Sequence, residues 1–126
     1  MKNYLLATLA LGATGCLGMG PDTCNTTLLT PVTRVSGPKT VAVGQPAVYA
    51  LTYAPAGGCG TLGSLTEQGA GNTRAVSVNV NYASCTCAAP ANPAQATYTF
   101  QPSQAGTYYL RFVGNNAYLI DTLVVQ

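Results

Sequence analysis

The sequence predicts an all-β protein, a sandwich of two sheets that follows a cleaved N-terminal signal. Three observations lead there. Short segments in which apolar and polar residues alternate recur along the chain, separated by clusters of glycine, proline and asparagine. Outside residues 1–15 no segment keeps a helical period of apolar residues. About seven such segments fall within roughly 100 residues, and two packed sheets are the usual way to bury one face of that many short strands.

Taken in order, Met1-Lys2-Asn3 supplies one positive charge, and "YLLATLALGA" then runs uncharged from Tyr4 to Ala13 before small residues close it, the layout of a secretory signal. As a helix this run would be about 15 Å long, roughly half of a hydrocarbon core, too short to span a bilayer. The residues Ala13-Thr14-Gly15-Cys16 resemble the lipobox of bacterial lipoproteins, with Ala13 where that family usually has leucine. The resemblance is confined to the first sixteen or so residues. It implies cleavage before Cys16, which becomes a mature N-terminus thioether-linked to two acyl chains and usually acylated on nitrogen as well. Two or three chains, at about 0.8 kcal/mol per buried CH₂, hold a protein to a bilayer durably with no transmembrane helix. The expected address is therefore the bacterial cell envelope, lipid-anchored and extracytoplasmic. Leu17 carries no charge and no acidic cluster follows closely, which favours a periplasm-facing position. Residues 1–15 are read as signal peptide, 16–27 as a lipidated tether of glycine, proline and small polar residues, and 28–126 as one folded domain.

Within that domain "LLTPVTRV" and "KTVAV" read as an N-terminal strand interrupted by Pro31 and by the "SGPK" bend, because proline cannot donate into a central ladder. "PAVYALTY" puts Ala47, Tyr49 and Leu51 on one face. In "RAVSVNVNY", Val76, Val78, Val80 and Tyr82 face one way and Ser77, Asn79 and Asn81 the other. "ATYTF" aligns Ala96, Tyr98 and Phe100, and "GTYYLRF" sets Tyr108, Leu110 and Phe112 inward with Tyr109 and Arg111 outward. "GNNAY" reads as a hairpin turn. In the last strand, "AYLIDTLVVQ", both alternating sets hold large apolar residues, so only Asp121 marks an orientation; it is expected to face outward.

The phrase "QAGTYYLRF" resembles immunoglobulin-like domains, in which a glycine often stands two residues before a tyrosine at the start of strand F. Gly106 and Tyr108 fit that tyrosine corner, and the resemblance implies a bond from the Tyr108 hydroxyl to backbone just upstream. "VAVGQPAVYALTY" is similar to the turn that enters strand B in many bacterial immunoglobulin-like modules, so the resemblance spans most of Thr40 to Gln126. It departs from antibody domains in having Leu110 in place of the strand F cysteine and no tryptophan. An apolar contact, such as Leu51 against Leu110, would replace their disulfide pin.

The chain has five cysteines. With Cys16 lipidated, Cys24, Cys59, Cys85 and Cys87 remain, an even number for an oxidising compartment. A Cys85–Cys87 bond would have to close over a single residue, which disulfide geometry disfavours. The remaining alternatives join Cys59 to one of that pair and Cys24 to the other, stapling the "AGGCGTLG" and "SCTCAAPANP" loops at about 2–4 kcal/mol per bond. A four-thiolate metal site would lack the paired spacing of zinc motifs and has no histidine to help, so neither metal nor cofactor is implied.

The absence of histidine also removes the usual base of nucleophilic sites. The three acids, Asp22, Glu67 and Asp121, show no sign of pairing, no glycine-rich loop precedes a lysine, and "CTC" has no adjacent cation to activate a thiolate. A non-catalytic role follows. In the mature chain Arg34, Lys39, Arg74 and Arg111 stand against those acids without forming a basic stripe, which argues against a nucleic-acid partner. Two roles fit: a structural or protein-interaction module that meets another envelope protein by a sheet face or a free edge, or a surface module for a glycan or peptide that uses Tyr53, Tyr109 and Tyr118 as stacking platforms. The lack of tryptophan and the shortage of carboxylates favour the first.

Overall fold

A computed structural model describes residues 26–83 and 91–126. The signal and most of the tether, with Cys16, Cys24, Cys85 and Cys87, lie outside the described residues. Within them the chain is all β: β1 (Thr26–Thr30), β2 (Val32–Ser36), β3 (Thr40–Val41), β4 (Ala47–Tyr53), β5 (Gly60–Gln68), β6 (Thr73–Tyr82), β7 (Ala94–Phe100), β8 (Gly106–Val113) and β9 (Tyr118–Val125). Six strands form the larger sheet, in which β5 and β1 flank β6 and the order continues through β8 and β9 to β3; β2, β4 and β7 form the smaller one. The two sheets make the sandwich that the alternation implied, in keeping with the immunoglobulin-like resemblance.

Nine strands stand among the described residues where about seven were expected, for two reasons. The interrupted N-terminal strand resolves into three pieces. Pro31 marks the point where the chain changes sheets, since β1 pairs with β6 in the larger sheet and β2 with β4 in the smaller. In addition, "GTLGSLTEQ", whose first half read as loop, is β5. Its period of two is broken by a register shift between Leu62 and Ser64, so Leu62 and Leu65, three positions apart, lie opposite Val80 and Val78 on one face. The pairing of β6 with β8 is parallel, unlike the antiparallel sheets of antibody domains. The path from β6 to β8 runs through β7 in the opposite sheet, and that crossover returns the chain to the end from which β6 began.

The core is the alternating set read from sequence. Ala47, Tyr49 and Leu51 from β4 meet Val76, Val78, Val80, Leu110 and Phe112 from the facing sheet in one buried cluster. Leu51 and Leu110 are both fully enclosed, one on each sheet. Phe112 lies between two aromatic neighbours, its ring 5.9 Å from Tyr49 and 5.8 Å from Tyr98. One expectation is overturned: Asp121 faces inward, 5% exposed, in phase with Leu123 and Val125. An ion pair with Lys39, just before β3, is what lets a carboxylate occupy that position.

Two glycines are required, one by packing and one by backbone conformation. A Cβ on Gly37 would come within 2.2 Å of the Tyr49 ring, so the bend lies flat on that ring only because the residue has no side chain. Gly106 opens β8 at φ 146°, a conformation that other residues rarely adopt.

Candidate functional site: the outer face and open edge of the β8–β9 hairpin

The strand phases decide which tyrosines reach solvent. Tyr53 shares its phase with Tyr49 and Leu51 and is only 4% exposed, so it closes the core at the end of β4 and is no surface platform. Tyr109 is out of phase with Tyr108 and Leu110 and stands 42% exposed. Tyr118, the first residue after the hairpin turn, is 52% exposed. That turn is closed by the Gly114 N–H donating to the Ala117 carbonyl at 2.9 Å, with Asn116 in the left-handed region. The register places Arg111 opposite Ile120 and Val113 opposite Tyr118. Arg111 leans diagonally across β9, its guanidinium carbon 5.9 Å from the centre of the Tyr118 ring. Gln68, Thr73 and Ala75 join Arg111 and Tyr118 around a shallow hollow of about 280 Å³.

The rest of that outer face differs in kind. The Thr27 hydroxyl donates to Asn81 at 2.7 Å, and the Asn79 amide donates to Thr66 at 2.7 Å and to Ser64 at 3.3 Å. These side chains are hydrogen-bonded to one another.

Charge is placed with equal economy. Glu67 and Asp121 are the carboxylates among the described residues, and both are engaged. Asp121 pairs with Lys39; Glu67 pairs with Arg74 at 3.2 Å and accepts the Tyr98 hydroxyl at 2.8 Å. The Tyr49 hydroxyl donates to the Pro38 carbonyl at 3.0 Å. Burial, and secondarily the nearby Asp121 charge, push the Tyr49 phenol up to about 12. Tyr98 is raised further, first by burial and then by its bond to Glu67. Both phenols hold their protons at neutral pH and serve as donors. The remaining cations, Arg34 and Arg111, have no carboxylate partner among the described residues.

The Tyr108 hydroxyl donates to the Gln104 carbonyl at 2.8 Å and tethers the loop that precedes β8. Cys59, one residue before β5, is disulfide-bonded. Sequence reasoning named Tyr109 and Tyr118 but missed Arg34 and Ile120. Ile120 is 61% exposed, and the outward orientation expected of the adjacent Asp121 hid it. Arg34 joins Ile120 only through the approach of β2 to β9 from the other sheet.

No curated protein and no solved structure matches the chain. A family model, the ORF11 beta-sandwich domain, matches residues 51–125, which run from the middle of β4 through β9 and include the whole β8–β9 hairpin. By that match, which covers more than half its length, the chain belongs to the ORF11 beta-sandwich domain family.

Proposed function

We propose that the protein is a non-catalytic bacterial envelope lipoprotein, held to a membrane by acyl chains on Cys16, whose sandwich serves as a protein-interaction module. The observation that carries this reading is the contrast on the larger sheet. Tyr109, Tyr118 and Ile120 stand exposed around Arg111, which has no carboxylate partner among the described residues, whereas the other end of the face carries hydrogen-bonded threonine, serine and asparagine beside an exposed Leu29. Aromatic residues with arginine are the side chains that dominate protein interfaces. The pairing of Cys59 with Cys85 or Cys87, and of Cys24 with the other, belongs to the same reading, as staples suited to an oxidising compartment.

Two experiments test it. Mass spectrometry of the membrane fraction should find a triacylated or diacylated Cys16, and a Cys16→Ser variant should leave that fraction; an unmodified mature Cys16 refutes the anchor. A photo-crosslinking residue at position 109 or 120 should yield a discrete protein adduct in intact cells, while one at Thr97, on the outer face of the smaller sheet, should not. Equal labelling from both faces, or none from either, overturns the interaction reading. Binding on a glycan array that disappears in Tyr109→Ala or Tyr118→Ala would replace it with the glycan module.

A further inference from the structure

We propose that the free edge of β9 is a docking site for an extended acidic segment of a partner polypeptide, which adds as a strand alongside Tyr118–Thr122 and sets carboxylates against Arg34 and Arg111. The inference rests on the protein-interaction reading and specifies its partner.

The edge is defined by where β3 stops. That short strand pairs with β9 only at Val124 and Val125. Val124 donates to the Lys39 carbonyl at 2.9 Å and Gln126 to the Val41 carbonyl at 3.0 Å. Backbone groups alternate sides along a strand, so Ile120 and Thr122 present their N–H and C=O groups to the same edge. Nothing among the described residues takes them up. Exposed edges are ordinarily blunted by proline, a bulge or a charge that repels a neighbour. Here the pairing of β9 with β8 runs unshifted through Ile120, and the nearby Lys39 is already committed to Asp121.

The chemistry beside the edge selects its occupant. Between β9 and β2 lies a groove of about 250 Å³ whose lining includes Arg34, Val35, Lys39, Leu119, Ile120 and the Asp121 carboxylate that pairs with Lys39. With Lys39 neutralised, Arg34 gives that groove a positive charge. Arg111 brings its guanidinium over β9 from the other side. A strand lies about 4.8 Å from its neighbour and turns successive side chains to opposite faces, so carboxylates on the outer face of an added strand come beside Arg111 and Ile120, and carboxylates on its other face come beside Arg34 in the groove. A second copy of this chain is a poor occupant, since the protein carries only three acidic residues.

The test uses the full chain in detergent and two synthetic nine-residue probes, one carrying pairs of glutamates between pairs of valines, so that both faces hold carboxylates, and one with lysine in place of each glutamate. The glutamate peptide should bind, protect the Ile120 and Thr122 amides from hydrogen exchange, and weaken about tenfold in Arg34→Gln or Arg111→Gln. The lysine peptide should not bind. Because both arginines are surface side chains, circular dichroism of each variant should match the parent. Failure of both peptides, indifference to the two arginines, or amide protection on β7 instead of β9 overturns the inference. If adducts still form from position 109 while the edge stays unprotected, this inference falls and the interaction reading stands; if no adduct forms, the reading itself falls. A dimer that competes with the glutamate peptide would assign the edge to a second copy and reject the acidic partner.

Discussion

The two long sides of the sandwich are closed by the same three kinds of side chain, arranged differently. On one side, Tyr49 of the smaller sheet, Asp121 of the larger and Lys39 of the bend meet where β2 faces β9. On the other, Tyr98, Glu67 and Arg74 meet where β7 faces β5. The two tyrosines are cross-strand partners, and both lean on Phe112. The difference lies in the carboxylates: the Asp121 side chain is 6% exposed and that of Glu67 is 41%. A buried carboxylate needs its cation in order to be tolerated, whereas a solvated one gains little from it. In a chain so poor in charge, both described acids are used to close seams, and among the described residues only the cations Arg34 and Arg111 are left to face a partner.

The comparison can be broken at its shared support. Phe112→Ala removes the ring on which both tyrosines rest and should cost about 3–5 kcal/mol, with urea unfolding as the measurement. A loss under about 1 kcal/mol would mean that the seams stand independently of the core.

The asymmetry itself is sharpened by Lys39→Ala, expected to cost about 3 kcal/mol because it strands Asp121 without a partner. Adding Asp121→Leu should recover most of that loss, since an apolar side chain beside Leu123 and Val125 needs no counter-ion. A double-mutant cycle reads the coupling. Additive losses would show that the pair does not hold this side together.

Raising the pH probes both sides at once. An unfolded tyrosine loses its proton near pH 10, while folded Tyr49 keeps it to about 12. Between those values the folded state binds the proton that the unfolded state has released, so stability falls as pH rises across that window, by on the order of 2 kcal/mol from Tyr49 alone. Tyrosinate absorbance should rise in two stages, with the second coinciding with loss of the β-sheet circular dichroism signal. A single transition near pH 10 with the fold intact would contradict the buried, donor role of these phenols.

The smallest effect is expected on the solvated side. Glu67→Gln, which keeps an acceptor for the Tyr98 hydroxyl, should cost less than about 1 kcal/mol, and that cost should shrink further as salt is added, because a solvated carboxylate is screened more than a buried one. A loss as large as that of Lys39→Ala would erase the distinction between the two seams.

The strands with clean alternation were legible in the sequence because each buries one face and wets the other; Val76 through Tyr82 and Tyr108 through Phe112 carry that period in their residue types. β5 was obscured by its bulge, and β9 by apolar residues in both phases. The exposure of Tyr109 was readable from its phase. That of Ile120 was not, because Asp121 pointed the wrong way until Lys39, 82 positions earlier, supplied the missing charge.

By itself the sequence determined the fold class and most of the core, since a period of two in hydrophobicity is a local property that every alternating strand states on its own. Only the tertiary structure decided which strands neighbour one another, that β6 and β8 run parallel, that Asp121 is buried, and that Arg34 and Ile120 flank one open edge. Those features arise between residues distant in the chain, where the deciding energies are ion pairing and desolvation across two sheets, and no short stretch of residues carries them.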